Sequence, residues 1–258
     1  MNTNLRVGLE IEFTNIHIVK AAELLAYYFQ TRVESIADAK HPERISYNIK
    51  DPIKGNIWTL SEDHSIMPTK HNNPIDIKNA LYNSYQCELV TPIIKTVEDF
   101  RVLEDILLLL NRREARVNES CGCHIHIDNK ENDIDWLNCI FKQIITEQEL
   151  VFELFNVDKR RTKYCKPYYK NVINKFLSKQ PESCKEFIDF LHNELEEGVC
   201  YKDGRASRYF WVNFDSISQR NTIEFRLFNS TLDTDMIKYY LKYVYNFVEE
   251  VNNNLTKG

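Results

Sequence analysis

The sequence predicts an α+β fold in which an antiparallel or mixed β-sheet carries helices packed mainly on one face. Six short segments show the period-two alternation or the β-branched and aromatic content that is typical of strands. Segments with helical spacing of apolar residues lie among them, but the two kinds do not alternate in a strict βαβ rhythm. The glycine loops of Rossmann and P-loop folds are both absent from the sequence, which disfavours those two classes.

The elements follow from these patterns in chain order. The predicted strands are 5–13, 56–61, 86–91, 122–128, 207–214 and 222–229. The predicted helices are 18–32, 97–112, 133–156, 182–197 and 234–252. Thr96 and Asp99 are spaced as a capping box for the second helix, Asp233 is an N-cap for the last, and Gly198 is a C-terminal stop. Segments 33–56 and 62–80 are expected to be loops, and loops of that length are often functional.

Composition and charge indicate an ordinary globular protein. The chain has 258 residues, of which 43% are hydrophobic and 28% charged, and its formal net charge is −5. This charge gives no reason to expect binding to nucleic acid or to an anionic membrane. The sequence lacks a signal-peptide pattern and an apolar run of about 18 residues, so we expect a cytoplasmic protein without a membrane span. No domain boundary is evident, so we expect one domain, 1–258. The seven cysteines are odd in number and scattered, which indicates reduced thiols.

The most informative segment is Gly-Leu-Glu-Ile-Glu-Phe at residues 8–13. In a strand, side chains alternate between faces, so Glu10 and Glu12 share one face while Leu9 and Ile11 share the other. Two neighbouring carboxylates on a buried strand are unfavourable unless a cation neutralises them. Mg²⁺ or Mn²⁺, which prefer oxygen ligands, suit this pair. The segment therefore predicts a metal site.

A second segment, residues 121–128, contains two cysteines and two histidines. The same alternation puts His124 and His126 on one face and Cys121 and Cys123 on the other. Four ligands from one extended run cannot surround a tetrahedral ion, so structural zinc is disfavoured. We expect the histidines to lie beside the carboxylates and to face a metal or a phosphate. The alternative is a pair of histidines on a solvated sheet face.

Three more segments carry charged or polar side chains beside apolar ones. Glu224 and Arg226 share a face of the strand Thr-Ile-Glu-Phe-Arg-Leu-Phe and form either a simple salt bridge or part of a binding cavity. Glu88 lies on a short apolar strand, where the alternative is an exposed edge carboxylate. Asp63 and Ser65 follow the strand that contains Trp58, and the alternative to a role in the site is that they are ordinary turn formers.

Two cationic segments are candidates for phosphate contacts. The first is the cluster 158–163, for which a solvated charged surface is the alternative. The second contains Arg205 and Arg208. Arg208 is the stronger candidate because it opens the predicted strand that has Asn213 near its end.

Five of these segments, in this order, resemble the putative amidoligase family, whose members are similar to carboxylate–amine ligases of the glutamine synthetase and glutamate–cysteine ligase fold. The resemblance rests on Gly-x-Glu-x-Glu-Phe, a Trp strand with an Asp-x-Ser turn, Glu-Leu-Val-Thr-Pro, Cys-Gly-x-His-x-His and Glu-Phe-Arg. These motifs lie at 8–13, 58–65, 88–92, 121–126 and 224–226. His64 departs from the pattern, which commonly has glycine there, and segment 156–208 matches nothing in it.

The resemblance implies a glutamine-synthetase-like catalytic domain, an antiparallel sheet that cups ATP and divalent ions. It implies an ATP- and Mg²⁺-dependent ligase, with Mn²⁺ as an alternative ion, that forms an amide or isopeptide bond through an acyl phosphate. The implied metal ligands are Glu10, Glu12, Glu88, His126 and Glu224. The expected catalytic groups are Arg226, His124, His126 and Asp63, and the expected ATP contacts are Arg208, Asn213, Arg226 and Ser65.

Two other functions remain open from the sequence. One is a metal-dependent hydrolase that uses the same carboxylates and histidines to activate water. The other is a non-catalytic binding protein of the same fold. For the ligase, we expect a small-molecule, peptide or protein carboxylate donor and an amine acceptor, with no nucleic-acid or membrane partner. A monomer or a small homo-oligomer is expected.

Overall fold

The computed structural model describes residues 5–37, 44–75, 84–130, 133–196 and 206–256. These residues form an α+β fold with a large antiparallel sheet and seven α-helices. The described residues divide into two compact units. The first comprises those within Met1–His124 and Asn229–Tyr239, and the second those within Ile125–Phe228 and Tyr240–Gly258.

The first unit is built on a sheet whose strand order is β2-β3-β4-β7-β1, followed by the start of β8. Its elements are β1 (Val7–Phe13), α1 (Ile18–Phe29), β2 (Val33–Ala37), β3 (Ile45–Lys50), β4 (Ile57–Glu62), β5 (Thr69–Lys70), β6 (Asn73–Pro74), β7 (Cys87–Val90), α2 (Val97–Arg112) and the start of β8 (Gly122–Asp128). Strand β7 pairs antiparallel with both β1 and β4, so it is an interior strand.

Local sequence explains where these elements begin and end. Val7, Leu9, Ile11 and Phe13 of β1 are all buried, as the alternating pattern requires. Helix α2 begins with a complete capping box, in which the Thr96 side chain accepts from the Asp99 N–H and the Asp99 side chain accepts from the Thr96 N–H. This confirms the predicted N-terminus.

The second unit contains the end of β8, α3 (Ile134–Leu154), α4 (Lys170–Ser178), α5 (Cys184–Glu196), a 3₁₀ helix (Ala206–Tyr209), β9 (Val212–Asn213), α6 (Asp215–Arg220), β10 (Thr222–Asn229) and most of α7 (Thr234–Leu255). Its strand order is β8-β10-β9. Aromatic side chains fill its core, including a cluster in which Phe141 contacts Phe176, Phe187 and Phe214.

Most predicted elements are confirmed. The bounds of β8, β10 and α2 agree with the prediction, and the other predicted helices shift by up to three residues at each described end. Residue 197 and Gly198 lie outside the described residues. Helices α4 and α6 were not predicted, and neither was the hairpin of β5 and β6 within the segment 62–80. No helix among the described residues is both long enough and apolar enough to cross a membrane.

Two predictions are wrong. Segment 33–56 is not a loop, because it contains β2 and β3, whose half-exposed side chains lack a clear apolar alternation. Segment 207–214 is not one strand: a 3₁₀ helix and the short β9 replace it. There the Lys166 N–H donates to the Tyr209 carbonyl and the Trp211 N–H donates to the Lys166 carbonyl, whereas the Trp211 carbonyl already accepts from the N–H of Arg226 in β10. Arg208 therefore lies on the 3₁₀ helix rather than at the start of a strand.

Candidate active site

A row of polar side chains crosses three adjacent strands of the first unit. Glu12 of β1 lies directly opposite Glu88 of β7, and Glu88 lies directly opposite Ser61 of β4. Directly opposed residues share a face of the sheet, so the two carboxylates are neighbours. The Ser61 hydroxyl donates to Glu88 Oε1 over 3.3 Å. Because β7 is an interior strand, Glu88 is not an edge carboxylate.

His124 of β8 lies against the two carboxylates of β1. Its Nδ1 is 3.2 Å from Glu10 Oε2, and its Nε2 is 3.6 Å from Glu12 Oε1. The backbone N–H of Gly122 donates to Glu12 Oε2 over 2.6 Å. Glu10, Glu12 and His124 are all buried, which excludes a solvated face for this histidine. These contacts offset part of the repulsion between buried carboxylates.

The first unit can hold divalent cations at two overlapping positions. In the first group, ligand atoms of Glu10, Glu88 and His124 lie within 4.8 Å of one another. In the second group, ligand atoms of Glu12, Asp63 and Glu88 do so as well. Glu88 belongs to both groups. Five of the six ligand positions are carboxylate oxygens, and this donor set suits Mg²⁺ or Mn²⁺. The residues present therefore fit the ion that the sequence predicts.

Asp63 has a structural contact as well as a place in this cluster. Its Oδ1 accepts from the Ser65 N–H over 2.7 Å, which forms the expected polar turn after β4. Asp63 is thus both a turn former and a neighbour of Glu12 and Glu88. For Ser65 the structure gives this backbone contact, and its predicted part in ATP binding stays a prediction.

The second unit gathers another set of predicted residues around Glu224. Its Oε1 pairs with the Arg226 guanidinium, and its Oε2 accepts from Asn213 Nδ2 over 2.7 Å. His126 Nε2 lies 3.9 Å from Glu224 Oε1, while its Nδ1 lies 3.1 Å from the Thr222 hydroxyl. The salt bridge between Glu224 and Arg226 is therefore present, within a larger polar network.

Arg161, which lies in the cationic cluster 158–163, is buried rather than solvated. It is 2% exposed, and its guanidinium donates to the backbone carbonyls of Arg226, Leu227 and Phe228. The Arg226 Nε donates in turn to the Tyr164 carbonyl over 3.3 Å. Arg161 thus holds the strand that carries Glu224 and Arg226, so both interpretations of it, as a phosphate contact and as a solvated surface charge, are wrong.

Arg208 lies on the 3₁₀ helix and not on the strand that the sequence predicts. Its guanidinium lies over the Tyr209 ring, 5.0 Å from the ring centroid. Arg205 lies outside the described residues. The predicted contact of Arg208 with ATP stays a prediction.

The cysteines behave as core residues. Cys87, Cys121, Cys123 and Cys165 are buried free thiols. Burial, followed by the nearby charge of Glu62, raises the pKa of the Cys87 thiol well above its usual range, so this thiol stays protonated and unreactive. Within the part of the chain that the structure describes, no cysteine belongs to a group of potential metal ligands.

Sequence reasoning missed several contacts of these two clusters. Ser61 lies on a strand whose side chains alternate as those of the predicted residues do. Its position opposite Glu88, however, depends on the register between β4 and β7. Thr222 is likewise two positions before Glu224 on the same face. Arg161 carried no local signal that distinguished it from its charged neighbours.

Comparison with known proteins gives one positive result. A family described as putative amidoligase enzyme matches residues 3–248, which include both clusters. No curated protein matches the chain.

Proposed function

Because the chain belongs to the putative amidoligase family, we propose that it is an ATP- and Mg²⁺-dependent ligase that joins a carboxylate to an amine. The product is an amide or isopeptide bond, and the carboxylate is activated as an acyl phosphate. The observation that supports this proposal most strongly is the acidic cluster of the first unit, with its two potential ligand groups that share Glu88.

The acidic cluster supplies the residues that would hold the cation. Glu10, Glu12 and Glu88 are the proposed ligands, and His124 and Asp63 complete the two groups. A bound divalent cation supplies charge neutralisation for phosphate groups and helps to position them. Gly122 and Ser61 orient two of the carboxylates through hydrogen bonds, so their oxygens need little rearrangement.

The second unit carries a positively charged group that is suited to an anion. Arg226 presents a planar fork of donors that suits a phosphoryl group or a carboxylate. Its Nε is held by the Tyr164 carbonyl, and Glu224 holds one terminal nitrogen. In the same proposal, Asn213 and Arg208 contact ATP. His126 faces the metal or the phosphates, and Glu224 is a further metal ligand.

The chemistry agrees with these roles. A carboxylate does not condense with an amine in water without activation, and phosphoryl transfer needs positioning and charge stabilisation more than covalent catalysis. In the proposed reaction an oxygen of the carboxylate attacks the γ-phosphoryl group of ATP and ADP departs. The amine then forms the new C–N bond, and inorganic phosphate leaves with the electrons of the broken C–O bond.

A thermal-unfolding experiment tests the nucleotide and metal site. A ligand at about 100 times its Kd stabilises a folded protein by ~2.7 kcal/mol. We expect ATP to raise the unfolding temperature only with Mg²⁺, and the double variant Glu10→Gln/Glu12→Gln to lose this rise. The exposed pair Glu34→Gln/Glu98→Gln is the matched control and should keep it.

A product assay tests the reaction itself. The protein is incubated with MgATP and hydroxylamine, and L-glutamate, L-aspartate and short peptides are supplied as carboxylates. Hydroxamate formation that is stoichiometric with ADP supports the ligase. A response to Zn²⁺ or Mn²⁺ alone, with none to nucleotide and no hydroxamate, would instead favour the hydrolase.

A further inference from the structure

A histidine and an aspartate outside the predicted site form a close pair in the second unit. His192 of α5 places its Nε2 2.8 Å from Oδ1 of Asp215, the first residue of α6. The His192 side chain is 46% exposed, whereas that of Asp215 is 6% exposed. The carboxylate is therefore buried behind an imidazole that reaches solvent.

The contacts of this pair decide which imidazole nitrogen is available. A carboxylate can only accept a hydrogen bond, so the nitrogen that faces Asp215 carries the proton. In a neutral imidazole, Nδ1 then keeps its lone pair. Within the described part of the chain, the contacts of His192 are those to Asp215, so no side chain there occupies Nδ1. In the neutral imidazole, Nε2–H donates to Asp215 and Nδ1 keeps a lone pair that no described side chain occupies.

The buried carboxylate also differs from that of an ordinary surface ion pair. Asp215 Oδ2 is buried and has no hydrogen-bond partner among the described residues. A buried carboxylate with an unsatisfied oxygen is unfavourable for stability. It would, however, stabilise a positive charge that forms on the adjacent imidazole, as an aspartate does behind a catalytic histidine.

Hydrogen bonds connect the pair to the network around Glu224. The backbone N–H of Asp215 donates to Asn213 Oδ1 over 2.9 Å. Asn213 Nδ2 donates in turn to Glu224 Oε2, and Glu224 pairs with Arg226. A single side chain, that of Asn213, thus lies between Asp215 and Glu224. His192 belongs to segment 156–208, which matched none of the family motifs.

From this geometry we infer that His192 is the general base for the amine substrate, oriented by Asp215. The inference rests on the proposed function. His192 Nδ1 first takes a proton from the ammonium form of the amine, which has no lone pair. The neutral amine nitrogen then attacks the acyl phosphate carbon, and the second proton, which it loses as the amide forms, leaves with the phosphate. The C–N bond forms, the C–O bond to phosphate breaks, and the released phosphate takes the electron pair. Asp215 stabilises the imidazolium until the proton is lost to solvent.

The test compares two amines in the variant His192→Gln. Glutamine keeps an N–H donor for Asp215 but has no basic nitrogen. With methylamine, which is almost wholly protonated near neutral pH, we expect kcat to fall by about 10²- to 10⁴-fold. With hydroxylamine, which is largely unprotonated there, we expect a much smaller fall. Positional isotope exchange in ATP, measured with the carboxylate and without an amine, should be unchanged. This exchange reports formation of the acyl phosphate, which precedes the step that needs the base.

Two controls separate this role from a structural one. His71→Gln replaces an exposed histidine of the first unit and should leave both amine reactions unchanged. Nitrogen-15 NMR of the wild-type imidazole should show the Nε2–H tautomer, and Asp215→Asn should change the tautomer balance. Asp215→Asn should also lower kcat more with methylamine than with hydroxylamine.

The outcomes distinguish the two proposals. If the wild type forms no product with any carboxylate tested, the proposed function fails and this inference fails with it. If the wild type forms product and His192→Gln has the same kcat with methylamine, only the inference is overturned. Equal losses with both amines, or an Nδ1–H tautomer, would likewise overturn it.

Discussion

The carboxylates of the two clusters have different partners in the two units. In the first unit, Glu12 and Glu88 face each other across paired strands, and His124 lies 3.2 Å from Glu10 and 3.6 Å from Glu12. In the second unit, Glu224 receives an arginine fork and an amide donor. Opposed like charges indicate a place for a cation, whereas a paired arginine held by the Tyr164 carbonyl suits an anion. The two units therefore differ in the sign of the ligand that they favour.

The strongest test of this difference is Glu12→Gln. We expect ligase activity to fall by about 10³-fold or more, because the variant loses a charged ligand and alters the contacts of Gly122 and His124. The stabilisation by Mg²⁺ or Mn²⁺ alone should disappear in thermal unfolding. Glu98→Gln, on the exposed face of α2, serves as the control. If Glu12→Gln fails to fold, the residue is structural and the assignment is wrong.

Arg226→Ala tests the other side of the comparison. We expect activity to fall by about 10²- to 10³-fold. Stabilisation by ATP with Mg²⁺ should be lost, whereas stabilisation by Mn²⁺ alone should persist, because the acidic cluster of the first unit is intact. Thermal unfolding with each ligand measures both effects, and Arg101→Ala is the control. Loss of the Mn²⁺ response in Arg226→Ala would contradict the separation of roles.

Arg161→Met tests how the anion-binding side is held in place. The variant removes a buried guanidinium that donates to three carbonyls of consecutive residues in β10. We expect the free energy of unfolding to decrease by about 3 kcal/mol, measured by urea denaturation. Arg101→Met, at an exposed position, should change it by less than about 0.5 kcal/mol. An equally small change in Arg161→Met would show that these hydrogen bonds contribute little.

The parts of the site that sequence predicted well are those with local periodicity. Glu10 and Glu12, like Glu224 and Arg226, share a face because alternation in a strand is a local property. The position of Glu88 opposite Glu12 depends on the register between β1 and β7, two strands that are far apart in the chain. Local sequence does not encode that register.

The errors have equally specific causes. Residues 209–211 have the aromatic content of a strand, but the backbone of Tyr209 and of Trp211 bonds to Lys166, which is a tertiary contact. Arg208 lies with Tyr209 on a 3₁₀ helix instead. The cluster 158–163 offers no sequence signal for the burial of Arg161, because charged side chains usually lie on the surface. Its burial requires folding to bring it to three carbonyls of β10 that lie 65 to 67 residues away in the chain.

The smallest expected effect belongs to Cys121→Ser/Cys123→Ser. We expect no change in bound metal, measured by elemental analysis and by Mn²⁺ titration, since the potential ligand groups of the described residues are carboxylates and histidines. Stability should fall, because two hydroxyls replace buried thiols. Cys165→Ser, a buried substitution in the second unit, controls for that loss. A stoichiometric loss of zinc would revive the zinc site and remove the oxygen-based cation site from the comparison.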